Sequence, residues 1–200
     1  HTGTSWVDRY EELALHTTTY EYDRLGHLTA VTDTLDNVTK MHYDGLGRKD
    51  WMDDPDMGHW EYDYDLTGNL TWQKDARECE ISFVYDPLNR LTEKSYSGCE
   101  GDPGSVRYFY DEDGYGFSEG RLTRMTDDSG WTAYHYDERG RVSKEVKKID
   151  TEEFATEYPE YDAMDRVVQM KYPGDGEIVT YAYNDGGALE SLSGIDSRPS

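Results

Sequence analysis

The stretch YHYDERGRV, residues 134–142, nearly restates YEYDRLGHL at residues 20–28. Variants return as HYDGLGRK, YDYDLTGNL, FVYDPLNRL and YAYNDGGAL. Aligned on Tyr-Asp, the copies are Tyr22-Asp23, Tyr43-Asp44, Tyr64-Asp65, Tyr85-Asp86, Tyr110-Asp111, Tyr136-Asp137 and Tyr161-Asp162. A Tyr183-Asn184 variant closes the series. The first three intervals are 21 residues each, the next three are 25, 26 and 25, and the last is 22. Self-similarity at a near-fixed period marks a repeat array, and that decides the fold.

Each copy carries two breaker zones. The first is Asp-x-x-Gly, from Asp23 to Gly26, Asp44 to Gly47, Asp65 to Gly68 and Asp137 to Gly140. Asp first and Gly fourth suits a type I turn followed by a left-handed residue, which matches the twist of a hairpin. Asn89, after Asp86, and Asp165, after Asp162, hold the Gly place in two copies, and Asn and Asp tolerate that conformation best. The second zone follows about ten residues on, as DTLDN at 33–37, DDPDMG at 53–58, DDSG at 127–130 and PGDGE at 173–177. Runs rich in Thr, Val, Tyr and Trp lie between, so one repeat is one β-hairpin.

The turn sets an expected register. If Asp23 faces His27, Tyr22 faces Leu28 and Tyr20 faces Ala30. The same rule sets Tyr64 opposite Leu70, Tyr62 opposite Trp72, Tyr85 opposite Leu91 and Tyr136 opposite Val142. Alternation along a strand puts the repeat tyrosines Tyr22, Tyr43, Tyr64, Tyr85, Tyr110, Tyr136, Tyr161 and Tyr183 on one packed face. Glu21, Thr29, His42, Asp50, Asp63, Thr71, Thr92 and Ser143 fall on the other. Arg48, Arg90, Arg141 and Arg166 return opposite Asp44, Asp86, Asp137 and Asp162 as cross-strand ion pairs, which serve register more than strength.

The expected architecture is all-β: tandem β-hairpin repeats forming one long, curled antiparallel sheet. Eight hairpins give up to sixteen strands, roughly 75 Å of sheet at 4.8 Å per strand. Open sheets of that size curl, here into an arc or spiral. Residues 20–194 make the wall, 1–19 lead into it and can cap it, with a helical turn at RYEELAL, 9–15, and 195–200 are a tail. In the fifth copy DEDGYGFSEG, 111–120, inserts residues and is expected to protrude as a loop.

Composition narrows the function. With 43 acidic and 20 basic residues, the net charge of −23 disfavours nucleic acid and anionic membranes as partners. No apolar run is long enough to span a membrane. Hydrophobic content is only 35%, but eighteen Tyr and five Trp in register supply packing that a disordered acidic chain lacks. The chain opens on His1 and reads as a piece of a longer polypeptide.

No catalytic signature appears. The six histidines form no His-Glu-x-x-His motif, and no nucleophile elbow is present. With 43 acids, close carboxylate pairs arise by chance, so neither a catalytic nor a metal site is assigned. Asp111-Glu112-Asp113-Gly114 with Glu119 is not an EF-hand, which needs Gly sixth and Glu twelfth. Irregular calcium binding at acidic turns is the only cofactor alternative. Asn37-Val38-Thr39 and Asn69-Leu70-Thr71 are glycosylation sequons that double as repeat spelling.

YDRLGHLTAVTD, YDLTGNLT, YDPLNRLTEK and YDERGRV resemble the YD repeats of the Rhs family, over about residues 20–194. That family includes Rhs polymorphic toxins, Tc-toxin shell components, wall-associated bacterial proteins and teneurins. The resemblance implies a hollow β-shell that encloses a toxin in some members and forms an extracellular scaffold in others. The family's plug motif, Asp-Pro-x-Gly, is not matched, since Asp86-Pro87 runs on to Leu88-Asn89 inside a repeat turn. The expected role is a non-enzymatic shell segment of a secreted or cell-surface protein. Its partners are other segments of the same polypeptide, a toxin cargo among them, with self-association through bare sheet edges. An extracellular adhesion module, or one that binds glycans or a partner protein, is the alternative. Trp51, Trp72, Tyr62 and Tyr134 buried or facing a lumen favour the wall, and the same residues forming an outer groove favour binding.

Cys79 and Cys99 are expected to form a disulfide in that oxidising setting. Carried down from Tyr85–Leu91, the register sets Cys79 opposite Ser97 and Cys99 diagonal to it, slightly too far for a bridge unless Gly98 bends the chain inward.

Overall fold

The computed structural model describes residues 17–101, 104–174 and 176–195. They form sixteen strands and no helix: β1 (Thr19–Tyr22), β2 (Leu28–Thr32), β3 (Val38–Tyr43), β4 (Lys49–Asp54), β5 (Gly58–Tyr64), β6 (Leu70–Lys74), β7 (Glu80–Tyr85), β8 (Leu91–Ser97), β9 (Ser105–Tyr110), β10 (Leu122–Asp127), β11 (Gly130–Tyr136), β12 (Val142–Ile149), β13 (Glu152–Tyr161), β14 (Val167–Lys171), β15 (Ile178–Tyr183) and β16 (Leu189–Ile195). The leading segment, its helical turn at 9–15 and the end of the tail lie outside the described residues.

The strands fall into two compact units. One is built on residues up to Asp63 with Gln73–Glu78, the other on Tyr64–Trp72 and Cys79 onward. In the first, β1 to β5 pair antiparallel in chain order. In the second, β7 to β16 do the same. The class is all-β, made of tandem hairpins.

One turn recurs. The Asp23 N–H donates to the His27 carbonyl at 2.9 Å and the Gly26 N–H to the Asp23 carbonyl at 3.2 Å. The same two bonds recur from Asp44, Asp65, Asp86, Asp137, Asp162 and Asn184. The fourth residue is left-handed in each: φ is 88° at Gly26, 78° at Gly47, 94° at Gly68, 60° at Asn89, 76° at Gly140 and 62° at Asp165. The second breaker zone reuses this turn at Asp33–Asn37, with Asp36 at φ 61°.

The register departs from the simple rule by one residue. Tyr22 pairs with Leu28 as expected, but Glu21 then pairs with Ala30, and Tyr20 faces Val31 rather than Ala30. A β-bulge follows the closing pair, with Thr29 the extra residue. Equivalent shifts follow Tyr43, Tyr85, Tyr110, Tyr136, Tyr161 and Tyr183. Asp50, Thr92 and Ser143 are therefore bulge residues. A bulge slips every pair beyond it and adds twist. Trp51 is the visible casualty. It pairs with His42 and Glu61, on the face away from Tyr43, where its ring stacks on His42 at 5.5 Å and on His59 at 6.1 Å.

The same slip brings the cysteines together. Glu80, not Cys79, pairs with Ser97, which leaves Cys79 level with Gly98. Gly98 turns at φ 68°, and a disulfide joins Cys79 to Cys99 with Cα atoms 4.3 Å apart.

The insertion at 111–120 does not protrude as a free loop. It folds back so that Gly116 forms a parallel bridge with Tyr136. The Tyr136 N–H donates to the Tyr115 carbonyl at 2.9 Å and the Phe117 N–H to the Tyr136 carbonyl at 3.2 Å. The β10–β11 ladder stops at Arg124–Ala133, so the turn end of β11 has backbone groups to offer. Ser118 of the insertion is buried, as are Thr123 on β10 and Thr132 and Ala133 on β11. Elsewhere burial is sparse. Among the described residues the buried apolar side chains are Ala30, Met52 and Ala133.

The turn geometry makes a graded prediction at Gly68, where an added Cβ would meet nothing within 4 Å. Gly68→Val tests backbone strain alone and is expected to cost ~1–2 kcal/mol, whereas Gly68→Asn, which mimics Asn89, costs less. Urea unfolding checks the order; equal stability of the Val variant and the parent contradicts the turn.

Candidate functional site

The repeat closure is where the chemistry concentrates. In each motif the Asp carboxylate grips its own turn. Oδ1 of Asp86 accepts from the N–H groups of Leu88 (2.8 Å) and Arg90 (2.9 Å), and Oδ2 accepts from Arg90 Nε at 2.7 Å. Asp44 with Arg48, Asp137 with Arg141 and Asp162 with Arg166 repeat the pattern. Asp23 uses His27, and Asp65 uses Asn69.

The same cation then reaches the next repeat. The guanidinium of Arg90 lies 4.4 Å from the Tyr110 ring centroid, that of Arg141 4.5 Å from Tyr161, and that of Arg166 4.2 Å from Tyr183. The His27 ring stacks on Tyr43 at 4.9 Å. Cation–π attraction thus joins Asp and Arg of one hairpin to Tyr of its successor.

The tyrosine hydroxyl completes the link. Tyr43 donates to the Leu28 carbonyl at 3.0 Å, Tyr85 to Leu70 at 2.9 Å, and Tyr110 to Leu91 at 2.9 Å. Tyr136 donates to Leu122 at 2.6 Å, Tyr161 to Val142 at 2.5 Å, and Tyr183 to Val167 at 2.9 Å. Each acceptor is the first residue of a return strand, beside the bulge. There the ladder to the next hairpin has already stopped: at Ala30 for β2–β3, at Glu93 for β8–β9, at Lys144 for β12–β13 and at Gln169 for β14–β15. The hydroxyl supplies the donor that the backbone no longer provides.

Two Arg nitrogens also meet an acid of the following turn. Arg90 Nη1 donates to Asp111 and Arg141 Nη1 to Asp165, at 2.7 and 2.8 Å. Both acids are left-handed turn residues. In the last hairpin Gly187, at φ 83°, stands in this place, and Arg166 Nη1 is buried without a partner.

The motif carboxyls ionise readily. Backbone N–H groups of the fourth residue on, aided by its side chain, hold Asp23, Asp44, Asp86 and Asp162 below the usual carboxylate range. At Asp65 and Asp137 burial pulls the other way, but donors from Asn69 and Arg141 win, and Asp65 falls to about 2. Two acids of the 111–120 insertion are engaged as well: Asp111 by Arg90, and Glu112 by Arg124 at 2.8 Å and Thr123 at 2.8 Å. Among the described residues no three His, Cys, Asp or Glu converge as metal ligands, and no helix is long and apolar enough to cross a membrane.

The teneurin YD-shell family model matches the sequence that carries these closures, over residues 13–117 and 52–195. The chain belongs to the teneurin YD-shell family. Its fold is similar to the crystal structure of TcdB2-TccC3, with a TM-score of 0.75 and 16% identity over 90% of this chain and 11% of that one. TcdB2-TccC3-TEV gives 0.73 and 18% over 90% and 10%. The Tc holotoxin pore of Photorhabdus luminescens, with a mutated TccC3, gives 0.65 and 13% over 88% and 12%. No curated protein matches the sequence. The chain spans about a tenth of the structures it resembles.

The closure predicts two outcomes. Gly187→Asp gives Arg166 the acid that Asp165 gives Arg141, at a φ that Asp accepts, with 3.4 Å between the new Cβ and Arg166 Nη1. Its melting temperature is expected to rise while that of Gly187→Ala falls; a fall in both contradicts the empty acceptor place. The second concerns acid. A carboxyl with a depressed folded pKa adds stability that is complete above its unfolded value, about 4, and lost as pH falls through the folded one. The gap in stability between the parent and Asp65→Asn should therefore shrink from pH 4 towards about 2. A gap independent of pH contradicts the assignment.

Proposed function

We propose that this chain is a wall segment: a non-enzymatic, structural part of a large secreted or surface YD-repeat protein, whose β-shell encloses or scaffolds another part of the same polypeptide, such as a toxin. One observation carries the reading. The hydrogen bonds, ion pairs and ring contacts at the hairpin closures run between consecutive repeats, and little is buried beneath them. A chain organised in this way spends its repeated chemistry on continuity of a sheet.

Other features support it. Tyr20 and Tyr22 on the first strand are 56% and 61% exposed, while Tyr43, Tyr85, Tyr110, Tyr136, Tyr161 and Tyr183 are half-buried by the preceding hairpin. The first described strand thus presents half of a junction, which suits a neighbour of the same kind. The Cys79–Cys99 bridge suits an oxidising compartment. The relatives by fold are named as TcdB2-TccC3 and Tc holotoxin structures, which supports an assembly with other toxin segments. The alternative, an adhesion module, draws on one feature, an open pocket beside Trp60.

Cross-linking of the full-length polypeptide tests the wall. In the second unit Lys94 and Lys147 lie on the tyrosine face, and Lys144 and Lys148 on the other. Enclosure predicts cross-links from a segment outside the repeats to one of these sets alone. Cross-links to both sets, or to neither, overturn it.

A further inference from the structure

Within the first unit, the turn before β5 and the turn after β6 border a cavity of about 500 Å³. Its wall is Trp60, backed by Pro55, Met57 and Ala76, and its polar groups are Asp56, Asp75 and Arg77. The indole is held in place, since its N–H donates to the Met57 carbonyl at 3.2 Å. Asp75 is buried, and Arg77 is turned towards it, Nη2 to Oδ2 at 3.2 Å.

At three hairpin closures the chain sets its own cation between an acid and an aromatic ring. Arg90 joins Asp86 to Tyr110, Arg141 joins Asp137 to Tyr161, and Arg166 joins Asp162 to Tyr183. The cavity holds the same two elements, Trp60 and Asp56. Among the described residues no cation lies over Trp60, and the Asp56 carboxylate has no partner. Indole is the best cation–π acceptor among side chains. A chain of net charge −23 draws cations towards such a place.

We propose that the cavity is a binding site for a cationic side chain, a lysine or arginine carried by another polypeptide segment, with its stem along Met57 and Pro55, its charge over Trp60 and its hydrogen bonds to Asp56. The proposal stands on this unit alone and holds whether or not the chain is a shell wall. A neutral sugar would also stack on an indole, but it would leave the Asp56 charge unanswered.

The test is NMR titration of the whole 200-residue chain, followed at the Trp60 indole N–H and the Met57 methyl. The probes are Nα-acetyl-lysine amide, its uncharged shape-mate Nα-acetyl-norleucine amide, and methyl β-glucoside. Saturable shifts at Trp60 and Met57 are expected with the lysine probe and not with the other two. Asp56→Asn should weaken that response at least tenfold, although it removes one of 43 acids and so leaves general attraction to the surface nearly unchanged. A response to the lysine probe spread evenly over the acidic surface overturns the proposal. So does an equal response to the glucoside, or an Asp56→Asn response equal to the parent's.

Discussion

The hydroxyls of Tyr43, Tyr85, Tyr110, Tyr136, Tyr161 and Tyr183 each donate to a carbonyl one hairpin back, and the rest of the architecture leans on that bond. The need for it arises locally. A turn closed by Asp and a left-handed fourth residue is followed by a bulge. The bulge twists the return strand, and the ladder to the next hairpin ends short of the turn. Without a further donor, the return strand's first carbonyl would face a gap between hairpins. Tyr fills it, because its ring spans the gap and its hydroxyl reaches the carbonyl. The Asp-bound Arg then settles on that ring. A single repeated phrase therefore serves two hairpins at once, which explains why Tyr, Asp and Arg are written together.

Much of this was legible in the sequence, for physical reasons. Period, turn type and strand alternation are local properties, so the sixteen strands and the left-handed places at Gly26, Gly47, Gly68, Asn89, Gly140 and Asp165 could be read directly. The bulge could not. Thr29, Asp50, Thr92 and Ser143 are ordinary polar residues for the open face of a strand, so nothing in their type marks them as extra; the additional residue is demanded by backbone twist. Missing it misplaced Trp51 and set Cys79 opposite Ser97. Strand alternation assigns the tyrosine to packing and says nothing of its hydroxyl; the clue is that Phe would pack as well and yet every copy keeps Tyr. The length of the insertion at 111–120 is visible in the sequence, whereas the unpaired end of β11 that receives it is not.

The candidate site has the same division. Asp and Arg pairing within a turn follows from spacing. Their reach to the next ring depends on how neighbouring hairpins stack, which no single motif encodes. Such junctions also explain how so acidic a chain holds together with few buried apolar groups. Asp44, Asp86, Asp137 and Asp162 are each met by backbone N–H groups and an arginine, and Arg90, Arg141 and Arg166 each lie over a ring.

The most direct test replaces Tyr with Phe at 85, 110, 136, 161 and 183 together, against a control of Tyr172→Phe, a tyrosine on the outer part of its hairpin that is 45% exposed. Phe keeps the ring and its contact with Arg, so only the donor is lost. Each lost bond leaves a half-buried carbonyl unsatisfied at ~1 kcal/mol. Urea unfolding should show the fivefold variant destabilised by several kcal/mol and the control within ~0.5 kcal/mol of the parent. A fivefold variant as stable as the control would show that the hydroxyl bonds do not hold the hairpins together.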